Sequence, residues 1–332
     1  MSSNAIGIGL SLLGGVLVGN CMLPLRHIRT WAWECSWLIF SIVSLVLVPC
    51  LLAWLTLPHW PSLYFSMSAS NLLPPFLFGM GWGVAQVLFG LAVVRLGMAL
   101  GFTLVVGLGT VFGTLIPFFV RHEAGLISRS SATLLSGCVL MIIGVSLSGW
   151  AGNLREAPGA APKGKEYRSG MLIAVVSGVL SSMLNLSFSF GQSLTQTASS
   201  HGAAPSLAVL AVWPIALAGG FLPNFGYTLY LLMRNRSWNG FRAVYPDFFL
   251  SLLMGLLWIF AVAIYGIAAH QLGHLGDSAG WAIYQITMVL TACTAGVFSG
   301  EWRRASRRSI GIFTAGIVTL AVAIMMVSSS TR

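Results

Sequence analysis

Apolar residues along the chain gather into ten runs, at about 5–25, 37–57, 72–94, 98–120, 131–150, 170–191, 206–233, 247–268, 279–299 and 309–328. A helix needs about 20 mainly apolar residues to cross a bilayer, so the pattern predicts an all-α integral membrane protein with ten transmembrane helices. Prolines fall inside several runs, among them Pro117 in one and Pro214 with Pro223 in another. Membrane helices tolerate them where neighbours satisfy the freed backbone groups. The first run lacks the basic flank and the small-residue cleavage site of a signal peptide, and is read as a retained helix.

One polar stretch interrupts the pattern. "AGNLREAPGAAPKGKEYR", residues 151–168, joins Pro and Gly to six charged side chains, the composition of a linker. It divides the chain into a first five-helix half, 1–150, and a second, 169–332. "WGVAQVLFGLAVVRLG" in the third run has a counterpart in "WIFAVAIYGIAAHQLG" in the eighth. Trp82 matches Trp258, Phe89 matches Tyr265, Gly90 matches Gly266 and Gly97 matches Gly273. With five spans per half, the matched helices enter the membrane in opposite directions. That is the signature of an inverted repeat with a substrate site near the midplane between the halves.

Composition agrees with this class: 57% of residues are hydrophobic, 7% are charged, and mean hydropathy is +0.87. Soluble domains carry about 25% charged residues. The net charge of +10 would suit nucleic acid, but its placement excludes that partner. Arg26 and Arg29 follow the first run and Arg95 ends the third. Arg155, Lys163, Lys165 and Arg168 follow the fifth, Arg234, Arg236 and Arg242 the seventh, and Arg303, Arg304, Arg307 and Arg308 the ninth. The other side holds only Arg121, Arg129 and Arg332. The positive-inside rule puts the basic loops in the cytoplasm and both termini in the periplasm. The five cysteines are scattered, with no CxxC or metal-ligand spacing, so no metal and no cofactor is expected.

The expected interior chemistry is amide and aromatic. Asn20, Gln86, Asn185, Gln192, Asn224 and Gln285 lie in the runs with Trp82, Trp213, Trp258, Tyr265 and Tyr284, and no acid stands near the centre of any run. Amides present paired donors and acceptors that match sugar hydroxyls, and aromatic faces suit the C–H side of a sugar. The same residues could instead bond neighbouring helices. Gly15-x-x-x-Gly19, Gly97-x-x-x-Gly101 and Gly109-x-x-x-Gly113 permit close helix approach.

"LPLRHIRTWAWECSW" after the first run resembles the corresponding loop of the L-rhamnose–proton symporter family. So does "FGMGWGVAQVLFGLAVVRLGMALGFTLVVGLGTVFGTLIPFFV" across the third and fourth runs. The likeness continues through "GLLWIFAVAIYGIAAHQLG", the Asp277-x-x-x-Trp281 pair and "GEWRRASRRS", in the same order over nearly the whole chain. That family belongs to the drug/metabolite transporter superfamily. The resemblance implies a multi-pass bacterial inner-membrane carrier that takes up a deoxy-sugar with protons by alternating access. It adds Trp281 to the candidate sugar contacts. Ala85-Gln86-Val87-Leu88-Phe89 stands where the family has an Asn-rich stretch, and "SSMLNLSFSFGQSL" matches loosely, so the sugar is not specified.

A proton symporter needs a group that takes up and releases a proton. Asp277 matches the family's acid at the start of the ninth run and ranks first, and Glu34 of the Trp-x-Trp-Glu segment ranks second. His270 and His274 titrate near neutral pH but are expected in a solvated loop, and Glu301 beside Arg303 or Arg304. The alternative is another carrier of the superfamily, an exporter or exchanger of a small polar metabolite. A nucleotide-sugar carrier would want interior cations, which the runs lack beyond Arg95. An enzyme acting on lipid-linked sugar would need an acid cluster, and the seven acids are dispersed.

Overall fold

The computed structural model describes residues 3–96, 98–121, 129–155, 165–242, 245–300, 302–303 and 305–330, and every regular element among them is helical. Ten helices among the described residues are long and apolar enough to cross a membrane. They are span 1, Ser3–His27; span 2, Trp33–Thr56; span 3, Ala69–Leu96; span 4, Gly101–Val120; span 5, Arg129–Leu154; span 6, Glu166–Ser200; span 7, Pro205–Asn235; span 8, Asp247–Gln271; span 9, Gly273–Phe298; and span 10, Arg307–Ser330. All ten apolar runs are therefore helices. Gly97, Glu301 and the centre of the expected linker lie outside the described residues.

Hydrogen bonds tie like ends together and define an alternating bundle. At one end Thr30 N–H donates to Asp247 Oδ2 at 2.8 Å, and Ser309 Oγ donates to Ala151 O at 2.7 Å. This basic end carries the Arg-rich connections. At the opposite end Ser3 Oγ donates to Gln271 O at 2.7 Å and Tyr64 OH to Ala211 O at 2.9 Å. Span 1 packs on spans 8 and 9, and span 6 on spans 3 and 4. Span 3 packs on span 7, and span 8 on span 2. Span 4 packs on span 5, and span 9 on span 10. Exchanging every span for the one five places away converts each of these pairings into another.

Spans 2, 6 and 9 each depart from a plain helix for a local reason. Span 2 widens into a π turn at Val43–Leu47, just ahead of Pro49. Pro49 has no N–H for the Leu45 carbonyl and crowds it, and the wider turn relieves both. Span 6 is interrupted at Ser182 and at Gly191, then continues as Gln192–Ser200, well past the apolar run that predicts it. Span 9 opens with a 3-10 turn, Gly273–Leu275, and a π turn, Gly276–Gly280, before Trp281–Phe298. The opening of span 9 is shielded by protein from Leu275 on, whereas the extension of span 6 buries one face, Leu194, Thr195 and Ala198, and exposes Gln196, Ser199 and Ser200. Irregular backbone at membrane depth is tolerated where it is buried or lines a cavity.

The glycine repeats are close-packing surfaces where they are described. Gly15 and Gly19 face Thr287 and Thr291 of span 9, and Gly109 faces Ser181 of span 6. The tightest approach was not anticipated: a Cβ on Gly79 would overlap the Ala216 carbonyl, and one on Gly219 would overlap the Phe76 carbonyl. Spans 3 and 7 thus touch backbone to backbone. Gly79→Leu is expected to destabilise the protein by about 3 kcal/mol or prevent folding, since overpacking costs ~1–3 kcal/mol and more against backbone. Gly90→Leu, with nothing within 4 Å of its Cβ position, is expected to be tolerated. Comparing the melting of the two in detergent checks this, and equal melting would contradict it.

Candidate functional site

The repeated tryptophans meet. Trp82 lies near the middle of span 3 and Trp258 near the middle of span 8; their rings stack with centroids 5.2 Å apart and an interplanar angle of 25°. Gly220 of span 7 makes the room, because a Cβ there would sit 2.9 Å from the Trp82 ring. Phe40 closes on Trp258 edge-on at 6.1 Å. Toward the basic end Trp37 stacks on Phe40 at 4.7 Å and donates its indole N–H to Asn224 Oδ1 at 3.0 Å. Asn224 Nδ2 donates to Gly220 O at 2.9 Å.

Toward the opposite end an aromatic cage forms from spans 6 to 9. Phe188 stacks on Trp213 at 5.4 Å and tilts against Tyr265 at 5.7 Å. Tyr265 meets Trp281 at 5.3 Å and Tyr284 at 5.2 Å. The indole N–H groups of Trp213 and Trp281 are buried and meet no acceptor in the protein. Buried donors of that kind are uncommon and call for a physical explanation.

Asp277 lies on the π turn that opens span 9 and is 3% exposed. Ser189 Oγ of span 6 donates to Asp277 Oδ2 at 2.5 Å. Asn185, one helical turn before Ser189, donates from Nδ2 to Asp277 O at 2.6 Å and to Gly113 O at 2.8 Å. Its Oδ1 accepts from Tyr265 OH. Beside them is a cavity of about 320 Å³. Gln192, His270, His274 and Asp277 give it polar groups, and Phe188, Val209 and Ala269 give it apolar surface. Its volume falls at the small end of the ~300–1,000 Å³ typical of ligand pockets.

Trp213, Tyr265, Trp281, Tyr284, Asn185, Gln192 and Asp277 therefore come together, and Trp82 with Trp258 lie one layer nearer the midplane. Gln285 reaches across to Thr110 Oγ1 of span 4 at 3.4 Å. Gln86 is half-buried on span 3, one turn beyond Trp82. Asn20 is at the basic end of span 1, where its amide bonds its own helix at Val16 O, 2.9 Å away. Glu34 is also at the basic end, far along the bundle from Asp277. It accepts from Asn235 Nδ2 at 3.0 Å and from Ser237 Oγ.

Sequence reading missed two residues, Ser189 and Asp247. Ser189 shares a helix face with Asn185 and Gln192, a spacing of four and then three residues that was available in "NLSFSFGQ". His270 and His274 are exposed, as expected, and also border the cavity. Asp247 begins span 8 and reads as a first-turn acid. It is 1% exposed and accepts from Thr30 N–H, from Trp31 N–H at 2.9 Å and from the Thr30 hydroxyl. No group of three or more His, Cys, Asp and Glu able to hold a metal occurs among the described residues.

The chain is 28% identical to an L-rhamnose-proton symporter of Cronobacter sakazakii, covering 97% of this chain and 96% of that one. It is 27% identical to a protein of the same name from Klebsiella pneumoniae, covering 96% and 95%. A solved crystal structure superposes with a TM-score of 0.61 at 14% identity, over 97% of both chains, which speaks to the fold alone. The family model for the L-rhamnose-proton symport protein matches residues 1–331, and the chain belongs to that family.

Proposed function

We propose that the protein is a secondary active transporter of the bacterial inner membrane that takes up L-rhamnose together with protons. Family membership supports the reaction class. The observation that carries the reading for this chain is the placement of Asp277. One carboxyl stands at the edge of a cavity that offers both polar groups and apolar surface, with an aromatic cage beside it. A 6-deoxy sugar has that same division, hydroxyls on its ring and a methyl group in place of a hydroxymethyl.

Gln192 would serve the hydroxyls, and the indole N–H groups of Trp213 and Trp281 are donors in need of acceptors. Phe188 and Tyr284 would stack on the C–H face, while Tyr265 is engaged with Asn185. Asp277 is the proton-carrying group. Trp82 and Trp258 form the midplane closure that the sugar must pass, with Gln86, Asn224 and Gln285 meeting it as the halves move. Asn20 and Glu34 stand apart and would act at the basic end.

The symmetry of the helix pairings supports two inverted halves, 1–150 and 169–332, on either side of the 151–168 linker. The Arg distribution supports a cytoplasmic basic end and periplasmic termini. In that orientation the cavity faces the periplasm, and the basic end, clasped by Asp247 and Glu34, is the closed side.

The test is counterflow in proteoliposomes. Unlabelled L-rhamnose inside should draw in labelled L-rhamnose, and external L-mannose, its 6-hydroxyl analogue, should compete at least about tenfold less well. A pocket built for a methyl rejects an added hydroxyl only modestly, by ~100-fold at most. Equal competition by both, or counterflow with amino acids instead of sugars, would contradict the assignment.

A further inference from the structure

Asn185 is completely buried, and three of its four hydrogen-bonding positions are filled by protein. The identity of its partners explains why. Gly113 O is the carbonyl that Pro117, four residues on in span 4, leaves without its helical donor. Asp277 O lies in the π turn of span 9, where the α-helical register is interrupted. Asn185 thus caps backbone carbonyls at two separate helix irregularities with one amide group. Tyr265 of span 8 fixes the orientation of that amide by donating to Oδ1. One turn further along span 6, Ser189 donates to the Asp277 carboxylate. Span 6 therefore holds Asp277 twice, by its main chain and by its side chain, and ties it to spans 4 and 8.

We infer that Asn185 is a positioning residue for Asp277, oriented by Tyr265, and not a ligand of the sugar. This rests on the reading of Asp277 as the proton-carrying group. An Asn185 amide that turned toward a sugar would strand at least one buried carbonyl without a donor. Gln192, two turns on, borders the cavity and has only a 3.5 Å contact to Phe188 O, so it is the amide available for hydroxyls. His270 and His274 line the same cavity, and Tyr265 and Tyr284 stack beside it. These are the other titratable groups facing Asp277.

The experiment compares Asn185→Ala and Tyr265→Phe with the parent protein in proteoliposomes. It measures L-rhamnose affinity by counterflow and the pH dependence of uphill uptake. A positioning role predicts affinity within about threefold of the parent and a pH midpoint of uphill uptake displaced by about one unit or more. Loss of affinity by tenfold or more with an unchanged pH midpoint would make Asn185 a sugar ligand and overturn the inference. Lower protein yield with both readouts unchanged would make it ordinary packing and overturn it equally. If Asn185→Ala does not fold, Tyr265→Phe decides the matter, since it removes one hydroxyl and keeps the ring. Asp277→Asn in the same assay separates the two readings. Uphill uptake surviving in that variant removes the role of Asp277, whereas its loss beside unchanged Asn185 and Tyr265 variants removes only the inference.

Discussion

Asp277→Asn is expected to abolish uphill accumulation of sugar and leave counterflow within about threefold of the parent. The carboxamide has the size of the carboxyl and can still accept from the Ser189 hydroxyl, so the cavity keeps its shape. It cannot take up and release a proton. One charge crossing a 100 mV potential supplies about 2.3 kcal/mol, and each ~1.4 kcal/mol is tenfold in concentration. One coupled proton at that potential therefore sustains roughly fifty-fold accumulation, and the variant should reach only equilibration. Glu34→Gln should retain accumulation, because Glu34 is engaged with Asn235 and Ser237 at the basic end. Measuring steady-state accumulation of labelled L-rhamnose in all three proteins checks this. Full accumulation by Asp277→Asn would discard the assignment.

Asp247→Ala is expected to cost the protein about 3 kcal/mol and to open the basic end. Asp247 is buried and receives the Thr30 and Trp31 backbone N–H groups and the Thr30 hydroxyl. Removing it leaves the buried Trp31 N–H and the partly buried Thr30 donors without their acceptor, at ~1–3 kcal/mol for a buried one. The contact joins the segment between spans 1 and 2 to the start of span 8. Glu34 makes the reciprocal contact, from span 2 to the segment after span 7. Spans 8 and 2 thus each contribute one carboxylate to a clasp at the basic end. Cys35 is a built-in reporter, since it is fully buried beside Ser237 O at 3.4 Å. In a variant retaining Cys35 alone, Asp247→Ala should raise its labelling by a thiol reagent at least about tenfold and lower the melting temperature in detergent. Unchanged labelling and melting would contradict the clasp.

The ten spans follow from hydrophobicity because lipid accepts only long apolar helices with satisfied backbones. The same signal weakens where protein, not lipid, surrounds the chain. The polar opening of span 9 is buried over residues 275–280 for that reason, the Gln192–Ser200 extension of span 6 buries only Leu194, Thr195 and Ala198, and both border the cavity. The paired Trp82 and Trp258 were visible as a repeat, yet their stacking is a product of tertiary packing and of Gly220. The amide residues were visible as a class, but sequence cannot say which amides are already committed. Asn185 and Asn224 bond backbone and aromatic partners, whereas Gln192 borders the cavity. Pro117 held the missing signal for Asn185: a proline inside a helix leaves a carbonyl that some side chain must cap. Asp247 and Asp277 look alike in sequence, each an acid near the start of a span. Their surroundings separate them, backbone N–H groups around one and a cavity beside the other.

Coupling of sugar to proton movement is tested most directly by a pH-sensitive dye enclosed in proteoliposomes, with L-rhamnose added outside and no other driving force. The account predicts acidification of the lumen on addition of L-rhamnose, a smaller response to L-mannose and none in Asp277→Asn. Counterflow of L-rhamnose by the parent protein without any sugar-dependent change in lumen pH would contradict it.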